Sequence, residues 1–314
     1  MKIIQFESNV RDYIWGGTKL KSKYHKKSKF NKIAESWELS AHLEHPSIIT
    51  NENISFNELL KREDIHKLLG YNYLKYSSFP LLVKLIDTED KLSVQIHPTN
   101  DYAKKHENNK GKSEFWYILE AKKDAGIYIG LKSKYSKYEI EKLVKDNKLF
   151  SELNFFPVKA GDSFYIPAGT IHAIGSGITL VEVQQNSNIT YRLYDYNRID
   201  KNGKTRELNI DKALDVYDVK FNQLKYIKKN INTLSFDKTF KNHYFKIKLL
   251  KIKNEYNLKT SYKSFKFVIC LSGSCFVRTT KKIIFLEKGD SCMILANSRY
   301  NLFVGECNLM VIYI

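Results

Sequence analysis

The chain has 314 residues, 52 of them Lys or Arg against 34 Asp or Glu, for a formal net charge of +18 at pH 7. That length allows a sizeable core and two domains, and no apolar run reaches the roughly 18 residues of a membrane-crossing helix. The lysines are spread along the chain, even allowing for KLKSKYHKKSKFNK (19–32), so they are expected to coat a solvated surface and not to bind nucleic acid or membrane; an attraction for anions remains.

The N-terminal MKIIQFESNV lacks the long apolar core of a secretion signal and reads as a first strand. Residues 1–49 alternate apolar and polar between turn signals at 15–19 and 41–46. Within them ESWELSAH is expected to place Ser36, Glu38, Ser40 and His42 on one face and Trp37 and Leu39 on the other. Over 55–76 the period changes to helical, opened by a capping-box pair, Ser55 and Glu58. FPLLVKLID (79–87) is a buried strand carrying one lysine, Lys84. KLSVQIHPT (91–99) follows as a strand, with Gln95 and His97 on the same face. A polar connection leads to strands at 114–122 and 125–132. A second capping box, Ser136 and Glu139, opens a helix running to about 153. The segments 156–174 and 178–198 are β-rich. From about 200 to 225 the chain is a connector, with a turn at NGK (202–204) and a helical turn near 211–216. From about 240 to the end it is β-rich again, in short runs between Gly-containing turns. The four cysteines, Cys270, Cys275, Cys292 and Cys307, contain no CxxC and are expected to be reduced core residues, which suits a cytoplasmic protein.

One repeat stands out. Gly161-Asp162-Ser163 lies eleven residues before His172, and Gly289-Asp290-Ser291 lies eleven before Tyr300. The second copy has Leu295, Asn297 and Tyr300 where the first has Pro167, Gly169 and His172. Many short strands, few helices and this duplication predict a mainly β protein of two cupin-type jelly-roll barrels, with helical insertions in the N-terminal, catalytic part. The boundary is placed at 225, with 1–225 holding the site and 226–314 a degenerate copy without metal ligands.

Gln95, His97, Glu114 and His172 form a mixed set that suits a borderline divalent ion such as Zn²⁺, with three protein ligands and an open position. Pro98 favours extended backbone at His97. Taken singly each histidine could be an ordinary hydrogen-bonded residue; the combination is the signal.

Gly161, Pro167, Gly169 and His172 match the second cupin motif, without its usual terminal Asn. QIHP, GKSEFWYI and QQNSNITYRLYDYNR, together with WGG and AESWELSAH, resemble type I mannose-6-phosphate isomerase in its short bacterial form, from the N-terminus to about residue 210. The resemblance implies one zinc ion per chain, held by His97, Glu114 and His172, with Gln95 as a fourth or near ligand. It implies that Lys112 faces the barrel interior beside Glu114 and that Arg192 is the active-site arginine. Arg198 falls where longer members carry a phosphate-binding lysine; Lys84 matches a basic pocket residue; and Trp15, Glu35 and His42 fall in loops bordering the pocket. Ser113 departs mildly from the family's usual residue between the lysine and the glutamate.

An aldose–ketose isomerisation of a phosphorylated sugar needs fixed positive charge at the developing oxyanion, a base, and a cationic phosphate subsite. For the base, Lys112, Glu182, His42 and a metal-bound water stay open. The expected partner is a small sugar phosphate, and the expected state a monomer or small homo-oligomer. Two alternatives stand beside this reading: another metal-dependent cupin enzyme, such as an iron oxygenase, and a non-catalytic sugar-phosphate-binding cupin.

Overall fold

The structure is a computed structural model that describes residues 3–7, 9–62, 64–199, 203–232, 234–236 and 238–314. It is mainly β, as expected, and its strands form three sheets. Two of them face each other as the first barrel. One has six strands in the order Val10–Arg11, Glu35–Leu39, Leu81–Asp87, Ile178–Gln185, Glu114–Ala121 and Ser163–Ile166. The other has five, in the order Tyr191–Tyr194, Val94–Ile96, His172–Ile174, Gly126–Leu131 and Leu153–Pro157.

Leu81–Asp87 and Ile178–Gln185 are buried at every position. The reason is that their sheet has a core on each side. On the inner side Ile86, Leu180, Trp116 and Ile118 meet Ile127, Ile129 and Ile174 of the five-stranded sheet. On the outer side Val83, Leu85, Val181 and Phe115 pack on Phe267, Ile269, Met310 and Ile312 of the second barrel. Each such side chain contributes about 1.5–3 kcal/mol on burial, so the two barrels share one continuous apolar layer. A buried ionic network joins them as well. Lys26 donates to Glu38 at 2.8 Å and to the Gly289 carbonyl at 2.7 Å, and Ser291 donates to Glu38 at 3.0 Å.

The second barrel is one eight-stranded sheet built around Lys266–Thr279 and Asn301–Tyr313. These strands have 14 and 13 residues, longer than the short runs expected from the turn signals. A bulge between Cys270 and Ser272 absorbs the bend. Gly273 follows it at φ 73°, where a Cβ would lie 2.1 Å from the Glu306 carbonyl oxygen. The expected N-terminal strand exists, but Ile3–Ile4 pairs with Ser291–Ile294 and so completes the second barrel's sheet.

The repeat has matching conformations. Gly161 and Gly289 have φ of 93° and 94°. Asp162 accepts from the Lys159 amide at 2.9 Å, and Asp290 from the Glu287 amide at 3.0 Å. Ile118 brackets the first turn through two backbone bonds, and Cys270 brackets the second in the same way. The registers then align: Glu114 lies opposite Ile166, and Lys266 lies opposite Ile294. A lysine therefore stands in the second barrel where the first has Glu114.

The helical segments are shorter than the expected runs. The 55–76 region divides into Phe56–Arg62, Ile65–Leu69 and a 3₁₀ segment Tyr71–Lys75, broken at Gly70 with φ 86°. Its capping box is present, with Ser55 N–H donating to Glu58 at 2.7 Å and Glu58 N–H to Ser55 Oγ at 3.1 Å. The second box caps Lys137–Lys145. The polar connection after 99 contains a helix, Asn100–Glu107, and another spans Ile210–Asp215. The turn expected at 202–204 begins at Asn202, outside the described residues. Among the described residues no helix is long and apolar enough to cross a membrane.

Candidate active site

Strand register assembles the site in two rows. In the five-stranded sheet Gln95 lies between Arg192 and His172. In the six-stranded sheet Trp37, Lys84, Glu182 and Trp116 lie side by side. Residues in one row share a face, and here that face is the barrel interior. His97 follows Val94–Ile96 directly, and Glu114 begins Glu114–Ala121. Trp116 touches His172 edge-on, ring centres 5.4 Å apart, and so links the two rows.

His97, Glu114 and His172 converge with one ligand atom each, all within 4.8 Å of one another, and all three are buried. His97 Nδ1 lies 2.9 Å from the Ile189 carbonyl oxygen, and His172 Nδ1 lies 2.9 Å from that of Thr170. A carbonyl only accepts, so each Nδ1 carries the proton and each Nε2 presents its lone pair to the cluster. Burial lowers the pKa of both imidazoles; with Lys112's charge added, His97 falls to about 3. Burial pushes Glu114 upward, but Lys112 and His97 outweigh it and hold the carboxyl well below its usual range. At neutral pH the cluster is thus two neutral imidazoles and one carboxylate, the protonation states that ligate a metal.

The residues fit a divalent ion on a second ground. Glu114 Oε2 is buried without a hydrogen bond while Oε1 meets the Lys112 ammonium, so the carboxylate keeps an oxygen free for a cation. The Lys112 ammonium lies 2.5 Å from Glu114 Oε1 and 3.2 Å from His97 Nε2, a positive charge set against two of the three donors. Gln95 Nε2 lies 3.4 Å from His172 Nε2, beside the set.

Lys112 and Gln95, which touch the cluster, also line a cavity of about 120 Å³. Of the residues expected around it, Trp15, Glu35, Lys84, Gln95, Lys112 and Arg192 line it. Lys84 is buried between Glu35 at 3.3 Å and Glu182 at 3.4 Å, and its ammonium stands 5.1 Å from the centre of the Trp37 ring. Trp37 Nε1 donates to Glu35 at 2.7 Å, and Trp116 Nε1 to Glu182 at 3.0 Å. Burial, then the Glu114 charge, raise the Glu182 pKa although Lys84 opposes them.

Two expected residues lie elsewhere. His42 is not in the wall; its ring stacks on His45 and meets Trp37 edge-on. The expected strand alternation also breaks before it. A bulge between Trp37 and Leu39 leaves Trp37 opposite Lys84 but turns Leu39 opposite Val83, into the outer core. Arg198 does not line the cavity either. Its guanidinium is taken by Asp195, Asp90 and the Lys91 carbonyl. The wall instead includes Tyr13, Asn188, Thr190 and Arg206, none of them singled out in the sequence. Asn188 and Thr190 fall within QQNSNITYRLYDYNR, the stretch that carried the resemblance, so that motif was the signal available.

Comparison with known proteins agrees with this geometry. The family model for the catalytic domain of type I phosphomannose isomerase matches residues 3–139, and that for the cupin domain of mannose-6-phosphate isomerase matches 237–314. The mannose-6-phosphate isomerase of Streptococcus mutans is 39% identical over 216 residues, covering 68% of this chain and 67% of that protein. The isomerase ManA of Bacillus subtilis is 40% identical over 215 residues, with coverage of 68% and 67%. The crystal structure of the mannose 6-phosphate isomerase from Bacillus subtilis superposes with a TM-score of 0.87 at 28% identity, over the whole of both chains.

Proposed function

Because this chain belongs to the type I mannose-6-phosphate isomerase family, we propose that it interconverts mannose 6-phosphate and fructose 6-phosphate with one zinc ion held by His97, Glu114 and His172. Gln95, 3.4 Å from His172 Nε2, would serve as a near ligand. The observation that carries the reading is the pairing of a metal-ready donor set with a cavity wall that holds both fixed cations and a buried carboxylate.

When bound, the ion supplies positive charge for the oxygens at C1 and C2 of the sugar. The protein does the rest. Lys112 places a further cation against the same developing oxyanion. Glu182 is the base. It takes the proton from C2 and, after exchange with solvent, delivers one to C1 through an enediolate, while the O2 hydroxyl proton passes to O1. Its environment suits proton transfer, because burial raises its basicity, Lys84 opposes that rise, and the Trp116 N–H orients it. Lys84 and Glu35 act through Glu182, and Trp15 supplies apolar wall. Among the open candidates for the base, His42 does not line the cavity, and Lys112 is assigned the charge at the oxyanion.

The oxygenase and sensor alternatives fit less well. The wall is cationic at Lys84, Lys112 and Arg192, which suits an anionic polyol better than a small apolar substrate. A cytoplasmic location belongs to the same reading, with four buried, unpaired cysteines in keeping with a reducing compartment.

The test uses mannose 6-phosphate deuterated at C2 and the zinc-loaded protein. Appearance of fructose 6-phosphate with deuterium lost to solvent supports proton transfer by a base. Complete retention at C1 would replace it with a hydride shift, and no product at all would remove the functional reading.

A further inference from the structure

Arg192 and Arg206 converge on the cavity from different segments, and they are not equally satisfied. Arg192 Nε is buried and has no hydrogen-bond partner. Burial, then the charge of Arg206, lower the Arg192 pKa, so the two guanidinium groups feel each other across the cavity. Two like charges held close in a partly dry site repel, unless an anion lies between them.

Arg206 is fixed in place. Its Nε donates to Asp195 Oδ2 at 2.7 Å and its Nη2 to Asp195 Oδ1 at 2.5 Å, a bidentate pair. A guanidinium has five N–H donors, and this pair takes two. Asp195 is 5% exposed in its side chain. Burial raises its pKa, but Arg206 and Arg198 together hold it below the usual carboxylate range. Arg198 binds the same carboxylate and reaches across to Asp90 at 3.2 Å and the Lys91 carbonyl at 2.6 Å. One carboxylate is thus shared by two arginines, and the Arg192–Arg206 side of the cavity keeps an excess of positive charge.

We propose that Arg206 reads the substrate's phosphate, closing on it together with Arg192, with Asp195 as its positioning residue and Arg198 as the brace that holds Asp195. The phosphate role that the resemblance assigns to Arg198 thereby passes to a residue eight positions on. A phosphate monoester carries close to two negative charges near neutral pH, which matches two converging guanidinium groups. Binding there would direct the other end of the sugar toward Lys112 and the His97–Glu114–His172 cluster. The inference rests on the sugar-phosphate reading above.

The test compares wild type with Arg206→Gln, Arg206→Lys and Asp195→Asn. Loss of one charge-assisted contact is expected to raise KM for mannose 6-phosphate about 10- to 100-fold in Arg206→Gln, with the larger share of the loss in KM and not kcat. Arg206→Lys should recover part of it. Asp195→Asn should raise KM by less, because Arg206 remains but is no longer held. A purely structural role would lower the melting temperature of these variants and leave KM where it was. Inorganic phosphate, titrated against each protein by ³¹P NMR, gives an arm independent of turnover; its affinity should fall in parallel. A KM within twofold of wild type in Arg206→Gln, or an unchanged phosphate affinity, overturns the assignment. If the wild type binds phosphate through Arg206 but converts no mannose 6-phosphate, the functional reading fails and the anion site stands.

Discussion

Lys84→Met removes the one cation between two buried carboxylates. Lys84 is 2% exposed, and its ammonium sits 3.3 Å from Glu35 and 3.4 Å from Glu182. At an effective dielectric of about 20, each contact is worth about 5 kcal/mol of Coulomb energy before desolvation is subtracted. Breaking a buried pair by removing one partner costs about 3–5 kcal/mol net, and that is the expected loss here. The sign of its pH dependence follows from Glu182. Its folded-state pKa already lies above its ordinary value, chiefly through burial, and loss of Lys84 moves it further the same way. A carboxyl with a raised folded pKa destabilises the fold while ionised, and the penalty is relieved as pH falls through that pKa. The variant should therefore be weakest at and above neutrality, and should approach wild type as the pH drops toward the ordinary carboxylate value of about 4.3. Urea unfolding of both proteins across this range measures it. The double variant Lys84→Met/Glu182→Gln, which removes the orphaned charge, should recover much of the loss. A single variant within about 1 kcal/mol of wild type at all pH values would refute the reasoning, since a penalty on that scale is typical of a merely surface pair.

Three further outcomes follow from the geometry. His97→Ala should abolish stoichiometric metal, read by elemental analysis, while the second barrel's strands stay folded; zinc retained at one per chain would refute the ligand set. Trp116→Phe removes the 3.0 Å donor to Glu182 and should shift the acid limb of kcat/KM upward by up to about one pH unit, because the base loses one hydrogen bond to its ionised form. An unmoved limb would mean that Glu182 is not the titrating base. The four cysteines are at most 4% exposed, so a thiol reagent should find none of them in the native protein and all four after unfolding; rapid native labelling would contradict the packing of the second barrel.

Much of the site can be read from local pattern. The two-residue period of a strand puts Gln95 with His97 and Lys112 with Glu114, and the turn before His172 fixes where that strand starts. The GDS repeat likewise shows two barrels, because its glycine conformation and aspartate bonds are set within a few residues. What depends on distant partners is not legible. Nothing in MKIIQFESNV tells that Ile3–Ile4 completes the sheet of the second barrel. The bulge before Leu39 depends on pairing with Leu81–Asp87 and defeats simple alternation. Arg198 and Arg206 are alike as residues; Asp195, Asp90 and Lys91 decide which one faces the cavity, through contacts formed only in the fold. Tyr13 enters the wall from the loop after Val10–Arg11, where no periodicity points to it.

The assignment of a metal-dependent isomerase site to His97, Glu114 and His172 rests on one measurement. It is tested most directly by supplying mannose 6-phosphate to the purified protein and following fructose 6-phosphate, first as loaded with zinc, then after a chelator, then after zinc is restored. Turnover, its loss and its return are the expected sequence. Undiminished turnover in protein shown to be free of metal would contradict the assignment, as would the absence of turnover in the zinc-loaded protein.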